Sequence, residues 1–219
     1  IPIVLDLNAT LDGGTGDNLA PNFGTADEFG VLDDSPAVTT VATSSATFLG
    51  ITQSYTFPGG SGTNGNAGIA LQNSGDPTAS LASLGSNLHT SRVLFEAWIK
   101  PDAAAFGAAG TTPNMAIYET GGGTGSGIAL VGDQVQFRGI GGGQSFIASY
   151  DLVANPNAGL AGFDPTADFF QIGASYDVAT DEAVLYINGV EVDRQAVGGQ
   201  LNNIDGGDGM AIGAVGENN

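Results

Sequence analysis

Oxygen ligands dominate the residues whose types and spacing suit chemistry. Asp12-Gly13-Gly14-Thr15-Gly16-Asp17-Asn18 and Asn202-Asn203-Ile204-Asp205-Gly206-Gly207-Asp208-Gly209 interleave acids and amides with glycine. Calcium takes carboxylate, amide and backbone carbonyl oxygens. Glycine between acids lets backbone carbonyls turn inward beside the carboxylates. Asp12, Asp17, Asn202, Asp205 and Asp208 are therefore the candidate metal ligands, with calcium as the candidate ion. The competing reading is an Asx-rich turn, in which Asp and Asn bond their own backbone. The first cluster places its Asp one position early for a Gly-Gly-x-Gly-x-Asp repeat, and no tandem array follows.

Other chemistries find little support. His89 is the sole histidine, no Gly-x-Ser-x-Gly nucleophile motif occurs, and cysteine is absent. A catalytic triad and a zinc site therefore lack their residues. Carbohydrate cleavage needs two carboxylates about 5 to 9 Å apart. Glu96 shares its strand face with Leu94, Trp98 and Lys100, so the second acid is missing there. Glu96 is expected to be a strand-face carboxylate paired with an Arg or Lys across the sheet. The Gly-rich runs at 59 to 68, 121 to 127 and 139 to 143 are not followed by Lys-Ser/Thr and open no helix, so they read as sandwich-end loops rather than phosphate cradles. Sugar faces stack on exposed rings, which makes Trp98, Tyr118, Tyr150 and Tyr186 candidates. All four sit in strand patterns, and Trp98 and Tyr186 are expected to pack in or against the core.

Composition narrows the partners. Four Lys and Arg face 23 Asp and Glu among 219 residues, for a net charge of -19. Such a surface repels phosphate backbones and anionic bilayers, so neither nucleic acid binding nor membrane insertion is expected. Charged residues make up 12% of the chain, about half the usual share. The 36 glycines and 9 prolines suit short strands separated by turns. No apolar run approaches the ~20 residues of a membrane span. Ile1 is not an initiator Met, and the chain reads as a processed or internally cut exported protein.

The elements that must position these residues follow a period of two. Ile3, Leu5 and Leu7 open a strand, Thr- and Val-rich strands follow within 38 to 49, and Gln53 to Phe57 forms another. Asp76, Pro77 and Gly85 suit the cap, first turn and end of one short helix. Val93, Phe95, Ala97 and Ile99 share one face of a strand, opposite Leu94, Glu96, Trp98 and Lys100. Gly132-Asp133 and Asn188-Gly189 are hairpin turns between alternating runs. Strand spacing and turn chemistry predict an all-β, two-sheet antiparallel β-sandwich with at most one or two short helical turns.

Four segments carry a family likeness. Phe95-Glu96-Ala97-Trp98-Ile99-Lys100-Pro101-Asp102 resembles a strand of laminin-G-like (LamG) domains, which are concanavalin A-like jelly rolls. The run Phe170 to Asp177 and the hairpin Ala183 to Val190 resemble their late strand and hairpin, and Met210 to Ala214 is similar to their "iGa" strand. The resemblance implies one jelly-roll domain over 1–219, well matched at 91–215 and weakly at 1–90. The family's hydrolytic Glu-x-Asp-x-x-Glu pattern occurs nowhere. Such domains usually carry one more strand after the "iGa" segment. Ile1 to Leu7 thus pairs either within its own sandwich or against a neighbouring chain.

Two functional classes follow. One is a non-catalytic, exported structural or adhesive subunit of a cell-surface or extracellular assembly, with copies of itself as partners and filaments formed by strand addition. The other is a calcium-dependent glycan-binding module of a larger secreted protein. Enzymatic activity is not expected of either.

Overall fold

A computed structural model describes residues 92–107, 115–120, 124–155, 164–167, 169–199, 201 and 211–213, and the backbone of five earlier strands. Those earlier strands are β1 (Phe29–Asp33), β2 (Thr39–Ala42), β3 (Gln53–Thr56), β4 (Ile69–Asn73) and β5 (Asp76–Ser80). They are followed by β6 (Arg92–Ile99), β7 (Met115–Glu119), β8 (Gly125–Val131), β9 (Gln134–Gly141) and β10 (Gln144–Asp151). The last four are β11 (Phe170–Asp177), β12 (Glu182–Ile187), β13 (Val190–Ala196) and β14 (Ala211–Ile212). A single 3-10 turn, Ala103–Ala105, is the only helical element among the described residues. The all-β, two-sheet antiparallel sandwich expected from the sequence is the fold observed.

One sheet runs β1-β4-β14-β7-β8-β9-β10, with β5 also paired to β4; the other runs β13-β12-β11-β6. Strands β2 and β3 pair with each other. Alternation sends Ile128, Leu130, Val135, Phe137, Phe146 and Ala148 inward from the larger sheet. Phe170, Ile172, Ala174 and Tyr176 on β11, with Ala183, Leu185 and Ile187 on β12, meet them from the smaller sheet.

The hairpins follow their turn chemistry. Asn188 and Gly189 both hold positive φ, 53° and 76°, as a two-residue turn of the Asn-Gly type requires. Between β8 and β9, Gly132 has φ 62° while Asp133 stays outside the left-handed region, the Gly-first turn expected from sequence.

Three expectations are corrected. The segment from Asp76 to Ser80 is strand β5, not a helix: its pairing with β4 supersedes the local capping signal, and Pro77 suits a strand at the margin of a sheet. Residues 139 to 141 complete β9, and the Gly142-Gly143 turn, with φ 59° and 79°, joins it to β10. Likewise 125 to 127 belong to β8. The opening strand expected at Ile3 to Leu7 lies outside the described residues.

Gly139 shows why glycine belongs inside a strand here. It pairs with Phe146, and a Cβ at position 139 would lie 2.3 Å from the Phe146 ring. That ring also meets Phe137 edge-on at 4.8 Å between centroids and stacks on Tyr176 at 6.1 Å. Having packed neighbours on both sides, it cannot swing away. Gly139→Ala is expected to cost about 1–3 kcal/mol, measured by urea unfolding; an unchanged midpoint would show that the ring has room.

Tyr118, buried and stacked on Phe95 at 4.6 Å, has its phenol pKa pushed up, chiefly by burial. The unfolded phenol ionises near pH ~10, whereas the folded one stays neutral. The unfolded chain therefore binds fewer protons above that pH, and stability falls as pH rises. Tyr118→Phe should make the alkaline decline shallower, as read by melting temperature between neutral pH and about pH 11. Part of the slope remains, since burial also raises Tyr176.

Candidate functional site

The outer face of the four-stranded sheet gathers the polar and aromatic residues best placed for recognition. Inward residues of β6 and β11 fill the core, so alternation turns Arg92, Leu94, Glu96 and Trp98 outward on β6. Gln171, Gly173, Ser175 and Asp177 turn outward on β11. β12 adds Glu182, Val184 and Tyr186. A bulge in β13 at Leu185/Tyr186 sets Glu191 opposite Tyr186 and Arg194 opposite Val184.

Trp98 and Tyr186 are half-buried on this outer face rather than in the core. The signal was in the alternation: Trp98 shares its face with Glu96 and Lys100, and charged neighbours mark a solvated face. Leu94, on the same face, is 54% exposed. Tyr118 and Tyr150 turn the other way. Tyr118 is buried, and Tyr150 packs against the core while its hydroxyl donates to the Asn155 carbonyl at 2.8 Å.

Gly173 and Gln171 were not singled out by sequence reasoning. Gly173 pairs with Tyr186, and a Cβ there would sit 3.3 Å from the Tyr186 Cβ and 3.6 Å from Cδ2. The missing side chain lets the tyrosine ring lie over the strand. A glycine within a strand pattern is the available clue to such a close approach. Gln171 is held by the hairpin tip: Asn188 N donates to its carbonyl at 2.9 Å, and its own N–H donates to Asn188 Oδ1 at 3.0 Å.

Among the described residues Glu96 pairs with no cation. Gly173 lies directly opposite it, and the diagonal neighbour Gln171 donates from Nε2 to Glu96 Oε1 at 2.7 Å. The cations take other acids. Arg92 stands opposite Asp177 and donates to it from Nε at 3.0 Å and from Nη2. Arg194 bridges Glu182, at 2.6 Å, and Glu191, which it grips through Nε and Nη2 at 2.9 and 2.7 Å. These hydrogen bonds hold the Asp177 and Glu191 carboxyls below their usual range. All three ion pairs lie at the protein surface, where such contacts contribute little to stability.

The face therefore offers two rings, an amide–carboxylate pair and ion-paired charges. Among the described residues it presents no pair of unengaged acids flanking a bond: Asp177, Glu182 and Glu191 are each bound to an arginine. Among the described residues no group of three His, Cys, Asp or Glu is placed to hold a metal ion. Asp12, Asp17, Asn202, Asp205 and Asp208, the calcium candidates, and His89 all lie outside the described residues.

No family model matches the chain, and no curated protein matches it in sequence. Solved structures do match. The binding domain of Paraclostridial Mosquitocidal Protein 1 is similar over 100% of this chain and 45% of its own, at 15% identity and TM-score 0.61. The binding domain of botulinum neurotoxin serotype D/C VPI 5993 is similar over 100% and 44%, at 12% identity and TM-score 0.56. The binding domain of botulinum neurotoxin DC in complex with SialylT is similar over 90% and 44%, at 13% identity and TM-score 0.51. The chain spans less than half the length of these proteins. At such identities the likeness defines the class by fold alone, a β-sandwich of the architecture these binding domains contain. Among the described residues no helix is long and apolar enough to cross a membrane.

An outward Trp98 supports the fold less than a core one. Trp98→Ala is expected to cost about 1 kcal/mol, against the ~3–5 kcal/mol of a buried tryptophan. Chemical denaturation decides, and a loss in the higher range would place the ring in the core.

Proposed function

We propose that the chain is a non-catalytic, exported glycan-binding module, built as one laminin-G-like sandwich over 1–219. The observation that carries this reading is the outward placement of half-exposed Trp98 and Tyr186 on the sheet face that also holds the Gln171–Glu96 pair. Aromatic rings stack on the C–H faces of sugars, and polar side chains at the sheet surface meet the hydroxyls. The fold supports the reading, since similar sandwiches occur in toxin binding domains, one of them in complex with SialylT.

Calcium belongs to this proposal as an ion held by the side-chain oxygens of Asp12, Asp17, Asn202, Asp205 and Asp208. The test is a glycan array followed by titration calorimetry of the responding glycans. Trp98→Ala and Tyr186→Ala should each weaken binding about tenfold or more, which is ~1.4 kcal/mol, with the melting temperature of the ligand-free protein little changed. Chelation should weaken binding if calcium takes part. Binding indifferent to both rings would overturn the assignment of this face.

A second reading, a structural or adhesive subunit, is favoured by one feature of the topology. β6 ends the four-stranded sheet among the described residues, with β11 as its neighbour there. A sheet margin is a template for strand addition from another copy, and Ile1 to Leu7 is the proposed donor. Native assemblies that persist after deletion of Ile1 to Leu7 would remove this reading.

A further inference from the structure

We propose that the outer face of the four-stranded sheet selects uncharged saccharides presenting free hydroxyls over sialylated, uronate or sulfated ones. The inference rests on the glycan reading above and names the ligand class of that site. Its first support is the hydrogen-bonding character left on the face. Gln171 spends one N–H on Glu96 Oε1 at 2.7 Å. Among the described residues, Glu96 Oε2 and Gln171 Oε1 have no protein partner, so the pair presents mainly acceptors. Acceptors suit hydroxyl donors and oppose a sugar carboxylate or sulfate, which brings only further acceptors.

The second support is the state of the cations. Arg92, Lys100 and Arg194 are three of the chain's four basic residues, and all three lie on or at the end of this face. The forked donors that match a carboxylate are already engaged: Arg92 by Asp177, Arg194 by Glu182 and Glu191. An anionic sugar would have to displace an acid to reach either guanidinium. Lys100 is exposed and outside these ion pairs. One ammonium stands against Glu96 on its own strand face and against a chain carrying -19. Four acids, Glu96, Asp177, Glu182 and Glu191, face these three cations, so the local field does not reverse the overall one. The rings Trp98 and Tyr186 and the exposed Leu94 add apolar contact that is independent of ligand charge.

A matched pair of probes tests this: a lactose-terminated glycoconjugate and its sialyllactose-terminated counterpart, titrated into the full chain at low and high salt. The neutral probe should bind at least about tenfold tighter, with an affinity insensitive to salt, because no ion pair forms. Glu96→Gln retains an oxygen to accept from Gln171 but removes the charge. It should weaken the neutral probe severalfold and narrow the gap between the two. Circular dichroism and the melting temperature establish that the variant is folded, and Gln171→Ala gives an independent route to the same loss. Equal or tighter binding of the sialylated probe, or sialylated binding abolished by Lys100→Ala, would overturn the selection while leaving the glycan reading intact. Failure of both probes and of a wider neutral panel removes the glycan reading and this inference with it.

Discussion

The packing of Phe146 between the two sheets governs much of the structure. Its ring lies over Gly139 within its own sheet, meets Phe137 edge-on and stacks on Tyr176 from the facing sheet. Burying Tyr176 obliges its hydroxyl to find partners, since an unpaired buried hydroxyl is costly. It donates to Asp181 Oδ1 at 3.0 Å and accepts from Leu201 N at 3.1 Å. The other Asp181 oxygen accepts from Gly199 N at 2.6 Å, and the Asp181 carbonyl accepts from Val197 N. Asp181 reaches all of these from a positive φ of 57°, a conformation that Asp tolerates better than most residues. One interior ring contact thereby ties the β11–β12 turn to the chain that leaves β13.

The seam between the sheets has a comparable device. Asp193, on β13, accepts from Ser149 N on β10 at 2.8 Å, so a side chain serves an amide at the margin of the larger sheet. Gln195 Nε2 donates to both Asp193 oxygens and holds the carboxylate in place. The smaller sheet is thus fixed to the larger one at its β13 side, while β6 stands at the opposite side of the same sheet. The outer face of the smaller sheet spans the distance between, supported from below by Phe170, Ile172, Ala174, Leu185 and Ile187.

What was legible in the sequence was local or strictly periodic. The Asn188-Gly189 and Gly132-Asp133 turns declared themselves because their dipeptides require the backbone they adopt. The two faces of β6 were legible as sets of alternating residues, though Trp98 was assigned to the core rather than to the outer face. Missed features depended on partners distant in the chain. Asp76-Pro77 carries a helix-start signal, yet β4 supplies ladder bonds that no local rule registers. Gly139 and Gly141 resembled loop residues because the ring that needs the space at Gly139, Phe146, is reached only after a turn. Glu96 was assigned an arginine or lysine partner on charge alone, whereas register put Gly173 opposite and Gln171 on the diagonal. The calcium candidates rest on composition and spacing, which place oxygens near one another in sequence without fixing their geometry.

Glycine paired with an aromatic residue across strands occurs twice, with opposite outcomes. Inside, Gly139 admits Phe146, and the ring becomes the contact between sheets. Outside, Gly173 admits Tyr186, and the ring lies along the sheet surface. The physical device is the same: a missing Cβ allows a ring to cover the backbone of the neighbouring strand. In the core it increases packing density. On the outer face Tyr186 lies against Gly173 of β11, the neighbour of β6, which carries Trp98. A Cβ at position 173 would sit tightly against the Tyr186 Cβ at 3.3 Å, with the nearest ring atoms at 3.6 and 3.8 Å, so the fit of that residue on the outer face depends in part on a position that has no side chain.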